Sequence, residues 1–350
     1  MGGDFSSTGL SRYDARLSLR ERHMRRREFI TLVGAAAAWP LSVRAQQPAH
    51  KLARIGLLQP SLDNPVVARG YPAFLEEMKK SGFSEGQNLT IQFVRLDQDS
   101  QSLFAETAEL LQKVDLVVSV GAEAALQAVL AASRTIPVVI WAINYDPVAL
   151  GYVNSLVRPG GNITGIVSLQ TELAAKQVEL LTQAFPGRTR LGIFWDQISG
   201  DQFAAAERQA RSLGLDVRPL KLEDPPYDFD AAFQRLSEGS PQMLLVLSSP
   251  FFAPARSRIA DLAIQQRLPT MFIFKTYVEA GGLMSYGVNA QANYRQLGFY
   301  AAKILNGAKP ADLPVQQAVQ FELVINLKTA KAIGVDVSTA IQLRADEVIE

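Results

Sequence analysis

Any chemistry in this chain has to be done without cysteine and almost without histidine. There is no Cys among its 350 residues, and the only imidazoles are His23 and His50. Thiolate nucleophiles, disulfides and cysteine-based metal sites are therefore excluded. His23 lies inside an arginine-rich N-terminal stretch and His50 just beyond it. The body of the chain thus has no member for a Ser–His triad, an imidazole general base or a His-ligated zinc. Acid–base work would fall to Asp, Glu, Lys or Tyr, yet no closely spaced pair of acids stands out where a site would form. The glycine devices for nucleotides and nucleophilic serine are missing too: no G-x-G-x-x-G follows the first strand, and no G-x-x-x-x-G-K-S/T or G-x-S-x-G occurs. What remains are aromatic, hydroxyl and amide groups suited to holding a small polar or amphipathic molecule by contact.

Those groups gather where apolar runs end. In the first half they are Gln59-Pro60-Ser61, Gly121-Ala122-Glu123 and Trp141-Ala142-Ile143-Asn144-Tyr145-Asp146-Pro147. In the second half they are Trp195-Asp196, Ser248-Ser249-Pro250-Phe251 and Lys275-Thr276-Tyr277. Open α/β sheets bind ligands beyond the C-terminal ends of their strands, where helix N-termini also attract anionic groups. Each group has a plainer role as well. Trp141 and Trp195 suit a core, Ser248 and Ser249 suit a helix cap, and Asp146-Pro147 suits a helix start. Gly121 at a strand end lets a ligand approach the backbone.

The elements that must position these groups alternate in type. Short apolar runs predict strands over 54–59, 89–95, 115–120 and 137–141, separated by helices over 66–81, 102–113 and 122–133. A second series repeats the order, with strands over 191–195, 215–220, 243–247 and 270–274 and helices over 201–213, 230–237 and 253–266. The tail adds a strand over 282–287, a helix over 293–306 and a strand over 321–325. The expected fold class is α/β: two Rossmann-like lobes with parallel sheets, joined by a hinge that the chain crosses several times. Residues 51–163 with about 282–312 would form lobe 1, and 164–281 with about 313–350 lobe 2. The crossings are expected near 158–165, 276–282 and 310–320, which are rich in Gly or Pro.

Bulk properties agree with a two-lobed body. At roughly 150 residues per domain, the length suggests two buried cores. Hydrophobic residues at 48% and charged residues at 20% exclude a disordered or fibrous chain. The net charge of +1 hides an uneven distribution, because residues 1–45 hold eight Arg and four acids. Taking these from the totals of 35 and 34 leaves 27 basic and 30 acidic residues. A body near neutrality has no electrostatic footprint for nucleic acid, which is not expected as a partner. Within the leader, Arg25-Arg26-Arg27 precedes an apolar run over 29–43 and then Val43-Arg44-Ala45. That layout predicts a cleaved signal peptide over 24–45 of the twin-arginine type, with 1–23 as a start-site extension. The run falls short of the ~20 residues that span a bilayer and contains Gly34 and Pro40. A periplasmic location is expected.

Longer motifs resemble a known family. Asp146-Pro147-Val148-Ala149-Leu150-Gly151 followed by Arg158-Pro159-Gly160-Gly161-Asn162-Ile163-Thr164-Gly165 resembles the ABC-transporter substrate-binding proteins related to the tryptophan-binding TrpX group. Ala280-Gly281-Gly282-Leu283-Met284-Ser285-Tyr286-Gly287, Tyr294-Arg295, Asn306-Gly307-Ala308-Lys309-Pro310 and Asn326-Leu327-Lys328-Thr329-Ala330-Lys331 extend the likeness to nearly everything after residue 50. The resemblance implies a type 1 periplasmic-binding fold that captures a small-molecule solute in an interlobe cleft. It would deliver that solute to a permease and ATPase at the inner membrane, as part of an importer. The resemblance does not carry over the solute's identity; an aromatic amino acid or related small acid is the class expected here. Ser61, Gly121, Ala122 and Asp146 match positions that hold an amino-acid head in the family, although Ala122 lacks the hydroxyl many relatives carry there. Adding the strand-end groups gives as candidate ligand contacts Ser61, Gly121, Ala122, Trp141, Asn144 and Asp146 in the first half. Trp195, Ser248, Ser249, Tyr277 and Tyr286 complete the set in the second. No catalytic residue, metal ligand or cofactor is expected. Three other readings share some of these features: a ligand sensor for a membrane receptor, a repressor of similar fold, and a carboxylate-based enzyme.

Overall fold

Strands that are apolar almost throughout need cover on both faces, and this chain supplies several. Val117, Val118, Val138, Val139 and Ile140 are all fully buried, as expected of parallel strands sandwiched between helices. The structure, a computed structural model, describes residues 52–96 and 99–350. The expected signal peptide and start-site extension lie outside the described residues.

The first series runs β1 (Ala53–Gln59), α1 (Pro65–Lys80), β2 (Leu89–Arg95), α2 (Ser100–Leu111), β3 (Leu116–Gly121), α3 (Glu123–Ala132), β4 (Val138–Ile143) and β5 (Ile163–Ser168). The second runs α4 (Gln170–Ala184), β6 (Arg190–Asp196), α5 (Gly200–Ser212), β7 (Asp216–Leu222), α6 (Phe229–Glu238), β8 (Met243–Val246), α7 (Arg256–Gln265), β9 (Thr270–Phe272), α8 (Lys275–Glu279) and β10 (Met284–Val288). The tail adds α9 (Ala290–Leu305), β11 (Gln316–Gln317), β12 (Phe321–Asn326), α10 (Leu327–Ile333), α11 (Thr339–Gln342) and β13 (Glu347–Ile349). Among the described residues, a six-stranded sheet has the order β11-β5-β4-β3-β1-β2 and a seven-stranded sheet the order β13-β12-β10-β9-β8-β6-β7. The parallel five of each sheet share one doubly wound order, and β12 pairs antiparallel with β10.

Alternation within each strand divides the core. In the first lobe, Leu57, Val118, Val120 and Trp141 face Phe74 of α1 and Leu297 of α9. Leu58, Val117 and Ile140 face Leu103 of α2 and Leu126 of α3. In the second, Ile193 and Leu245 meet Leu181 of α4 and Ala206 of α5, while Phe194 and Val246 meet Phe233 of α6 and Ile259 of α7. Among the described residues no helix is long and apolar enough to cross a membrane.

The chain passes between sheets at Leu169, at Asn289 and over 318–320. Main-chain hydrogen bonds tie these crossings together: Ala318 N–H donates to Val167 O and Asn289 N–H to Gln320 O, both at 2.9 Å. This corrects the lobe boundaries drawn from sequence. Residues 164–168 belong to the first sheet as β5, and 284–288 to the second as β10. The glycine-rich start of β5 reads as a connector, but Gly165 is there for a close approach. Its φ is +136°, and a Cβ would lie 2.1 Å from the Ile140 carbonyl oxygen of β4. A backbone atom cannot swing aside. Gly165→Ala is therefore expected to cost about 3 kcal/mol or more in urea unfolding. A loss under about 1 kcal/mol would mean that β5 does not need this register.

Candidate functional site

In a doubly wound sheet the strand order reverses between the first strand and the third, and a crevice opens beyond their C-terminal ends. Here those switch points are β1/β3 and β6/β8. The two crevices face each other across a cavity of about 410 Å³. Gly121, Ala122, Trp141, Asn144 and Tyr294 line it from lobe 1, and Ser248, Ser249, Phe251 and Tyr277 from lobe 2. No Asp, Glu, Lys or Arg lines it among the described residues. Nor do the described residues hold a group of three or more His, Asp or Glu placed to hold a metal ion.

Aromatic rings give the cavity its shape. Trp141 is buried in the lobe 1 wall, its Nε1–H donating to Ser168 Oγ at 2.7 Å. Tyr294 meets it edge to face, with centroids 5.8 Å apart, and its hydroxyl donates to Gln59 Oε1 at 2.9 Å. Across the cleft Tyr277 stacks on Phe272 at 4.8 Å. Burial raises the pKa of both Tyr277 and Tyr294, so these phenols stay neutral.

Polar groups are few and specifically placed. Gly121 ends β3 with φ +135°, a conformation glycine adopts freely. It leads into α3, whose N-cap Ala122 has no side-chain oxygen to accept from the first-turn amides. The neighbouring helices are closed differently: Asn64 Oδ1 accepts from Val66 N–H in α1, and Asp99 Oδ1 from Ser102 N–H in α2, each at 3.0 Å. The open amides of α3 suit a carboxylate. The nearest acid, Glu123, already accepts from Tyr152 Oη–H and Gln127 Nε2–H. At the end of β4, Asn144 holds a left-handed φ of 67° and turns a buried Oδ1 toward no partner. A non-glycine residue kept in that region is strained, a feature that clusters at ligand clamps.

The lobe 2 wall rests on a buried acid. Asp196 ends β6 with no exposed surface and accepts from Ser199 N–H at 3.1 Å, Ser199 Oγ–H at 2.8 Å and Tyr227 Oη–H at 3.2 Å. Ser249 Oγ–H donates to Oδ2, the oxygen that Tyr227 also reaches, while Ser199 holds Oδ1. Burial first, and the Asp196 charge second, push the Tyr227 phenol up to about 12. Ser248 is fixed through its main chain, its N–H donating to Gln202 Oε1 at 3.1 Å.

Four candidates lie outside this cavity. Ser61 shapes the turn into α1, its Oγ accepting from Asp63 N–H at 3.2 Å. Asp146 is exposed and caps the following turn through Val148 N–H at 2.8 Å and Ala149 N–H at 3.2 Å. Trp195 turns to the opposite face of β6, stacked on Phe203 at 4.4 Å with Lys221 Nζ 5.6 Å from its ring. Tyr286 lines a separate cavity at the crossings, stacked on Phe321 and flanked by Glu172 and Lys176. Conversely, the candidate set omitted Tyr294 and Asp196. The helix carrying Tyr294 was expected in lobe 1 and Asp196 was noted at a strand end, but neither side chain could be aimed from the sequence.

Comparison with known proteins decides the family. The chain matches the profile of ABC transporter substrate binding proteins over residues 55–349. It belongs to that family. A tyrosine-binding protein of Clostridioides difficile is 23% identical over 302 residues, covering 85% of this chain and 84% of that protein. The ABC domain of Streptococcus pneumoniae in complex with L-Trp superposes with a TM-score of 0.74 at 25% identity, covering 85% of this chain and 99% of that one. A conserved domain protein from Vibrio cholerae gives 0.77 at 25% identity, covering 85% and 100%. The two lobes are those of a type 1 periplasmic binding protein, and ABC transporter substrate-binding proteins work outside the cytoplasm with a small-molecule ligand and a transporter. For this substrate-binding protein the position of Asp146 makes a specific prediction. Asp146→Ala should cost about 1 kcal/mol in urea unfolding, as a lost cap does, and leave solute affinity unchanged in calorimetric titration. A marked loss of affinity would bring Asp146 into the site.

Proposed function

We propose that this protein is the solute-capturing component of an ABC importer and that its solute is an aromatic amino acid or a related small aromatic acid. The observation that carries this reading is the interlobe cavity: ring-lined, free of charged side chains among the described residues, and furnished with open helix amides after Gly121. A carboxylate placed at those amides needs no cationic side chain, while the rest of the molecule meets Trp141, Tyr294 and Phe251. A second charge on the solute's side chain would be buried without a partner, which is costly. The names of the Clostridioides difficile and Streptococcus pneumoniae relatives support an aromatic amino acid as the class.

Capture requires no reaction. The solute contacts both lobes only when the cleft is shut, and that differential affinity draws the population toward the closed form. The three crossings absorb the rotation as a hinge. Export by a twin-arginine signal and delivery to a permease and ATPase at the inner membrane complete the reading. Calorimetric titration with L-tryptophan, L-tyrosine, L-phenylalanine and benzoate against L-lysine and L-aspartate tests it. At least one aromatic compound should bind about a hundredfold or more tightly than either charged amino acid. Binding of L-lysine or L-aspartate with silence from every aromatic compound would contradict it.

A further inference from the structure

Asp196 is an unusual group to find behind a wall that carries no charge. It is a carboxylate without exposed surface, and each of its hydrogen-bond partners is neutral: Ser199, Tyr227 and Ser249. Three of the four hydrogen bonds it accepts come from hydroxyls. Capping the 3-10 turn that follows β6 needs only the Ser199 pair. The bonds from Tyr227 and Ser249 are additional, and both lead toward the cleft. Tyr227 packs edge to face on Phe251 at 6.0 Å, and Ser249 and Phe251 both line the cavity.

We infer that Asp196 is a positioning residue that sets the hydrogen-bonding polarity of the lobe 2 wall and so selects solutes bearing a donor group, such as an ammonium, over their deaminated analogues. The argument is a count of what Ser249 has left. A hydroxyl offers one hydrogen and two lone pairs. Its hydrogen is committed to Asp196, and one lone pair accepts from Phe251 N–H at 3.2 Å. Only a lone pair remains, so Ser249 can accept from a solute and cannot donate to one. Across the cleft the unpartnered group of Asn144 is likewise an acceptor, Oδ1. With the Asp196 carboxylate taking the Ser249 hydrogen, the wall presents acceptors to the cavity. A carboxylate is held elsewhere, at the α3 amides. The two ends of an amino-acid head thus find opposite environments.

The assignment rests on the aromatic-solute reading, and the test separates the two. Wild type, Asp196→Asn and Ser249→Ala are titrated with L-phenylalanine and 3-phenylpropionate, and with L-tryptophan and indole-3-propionate. Wild type should bind each amino acid about tenfold or more tightly than its deaminated partner. In Asp196→Asn the new amide donates to Ser249, whose hydrogen is then free to turn to the cavity. The ratio should collapse toward one, mainly through loss of amino-acid affinity. Ser249→Ala removes the acceptor and leaves the buried acid in place, so it should narrow the ratio even if Asp196→Asn fails to fold. A purely structural role would weaken both members of a pair equally. An unchanged ratio in a folded variant, or a wild type that does not distinguish the pairs, overturns the role of Asp196 while leaving aromatic capture intact. Silence of wild type toward all four probes overturns both.

Discussion

Everything at the site depends on the chain crossing between its two sheets three times. The crossings at Leu169, Asn289 and 318–320 lie side by side, laced by Asn289 N–H to Gln320 O and Ala318 N–H to Val167 O. They also hold the two switch points face to face, so strand ends separated by more than a hundred residues line one cavity. Within lobe 2, Gln177 of α4 ties the helix to β10, its Nε2–H donating to Tyr286 O at 2.7 Å. Away from the cavity the lobes meet through Arg69 of α1 and Glu279 of α8, a paired contact at 2.6 and 2.7 Å. Both side chains are about one-third exposed, which limits such a pair to about 1 kcal/mol or less.

In the proposed reading, the cavity's selectivity comes from what it leaves out. Water is displaced from an apolar solute surface at little cost, but any charge brought in must be met by dipoles. Helix amides after Gly121 and the acceptors of Asn144 and Ser249 are such dipoles, held in place before the solute arrives. A site built to pair a particular polar group rejects analogues lacking it more strongly than a site built on shape alone.

Much of this was legible in the residues. The alternation of element types was clear because each buried strand is short, apolar and bounded by helical periodicity, and β2 begins and ends where its pattern does. Trp141 and Gly121 could be placed at strand ends for the same reason. Facing direction was less legible. Trp195 and Asp196 are adjacent on β6, and only the packing of α4 and α5 on one face sends the tryptophan away from the cleft. Asp146 looked like a site residue because it follows a strand, yet its carboxylate is occupied by Val148 and Ala149 amides. β5 was read as a connector because its glycine signals a turn, while in the fold that glycine permits two strands to touch. The return of the chain to lobe 1 around residue 294 was expected, but that Tyr294 meets Trp141 edge to face is set by packing that no local pattern encodes.

The central claim is that solute is held between the two switch points, and a crystal structure grown with the tightest-binding aromatic compound tests it most directly. The ring is expected against Trp141, Tyr294 and Phe251, with the carboxylate at the amides following Gly121. A solute found instead at Tyr286 and Phe321 beside the crossings, or on the surface of one lobe, would contradict it.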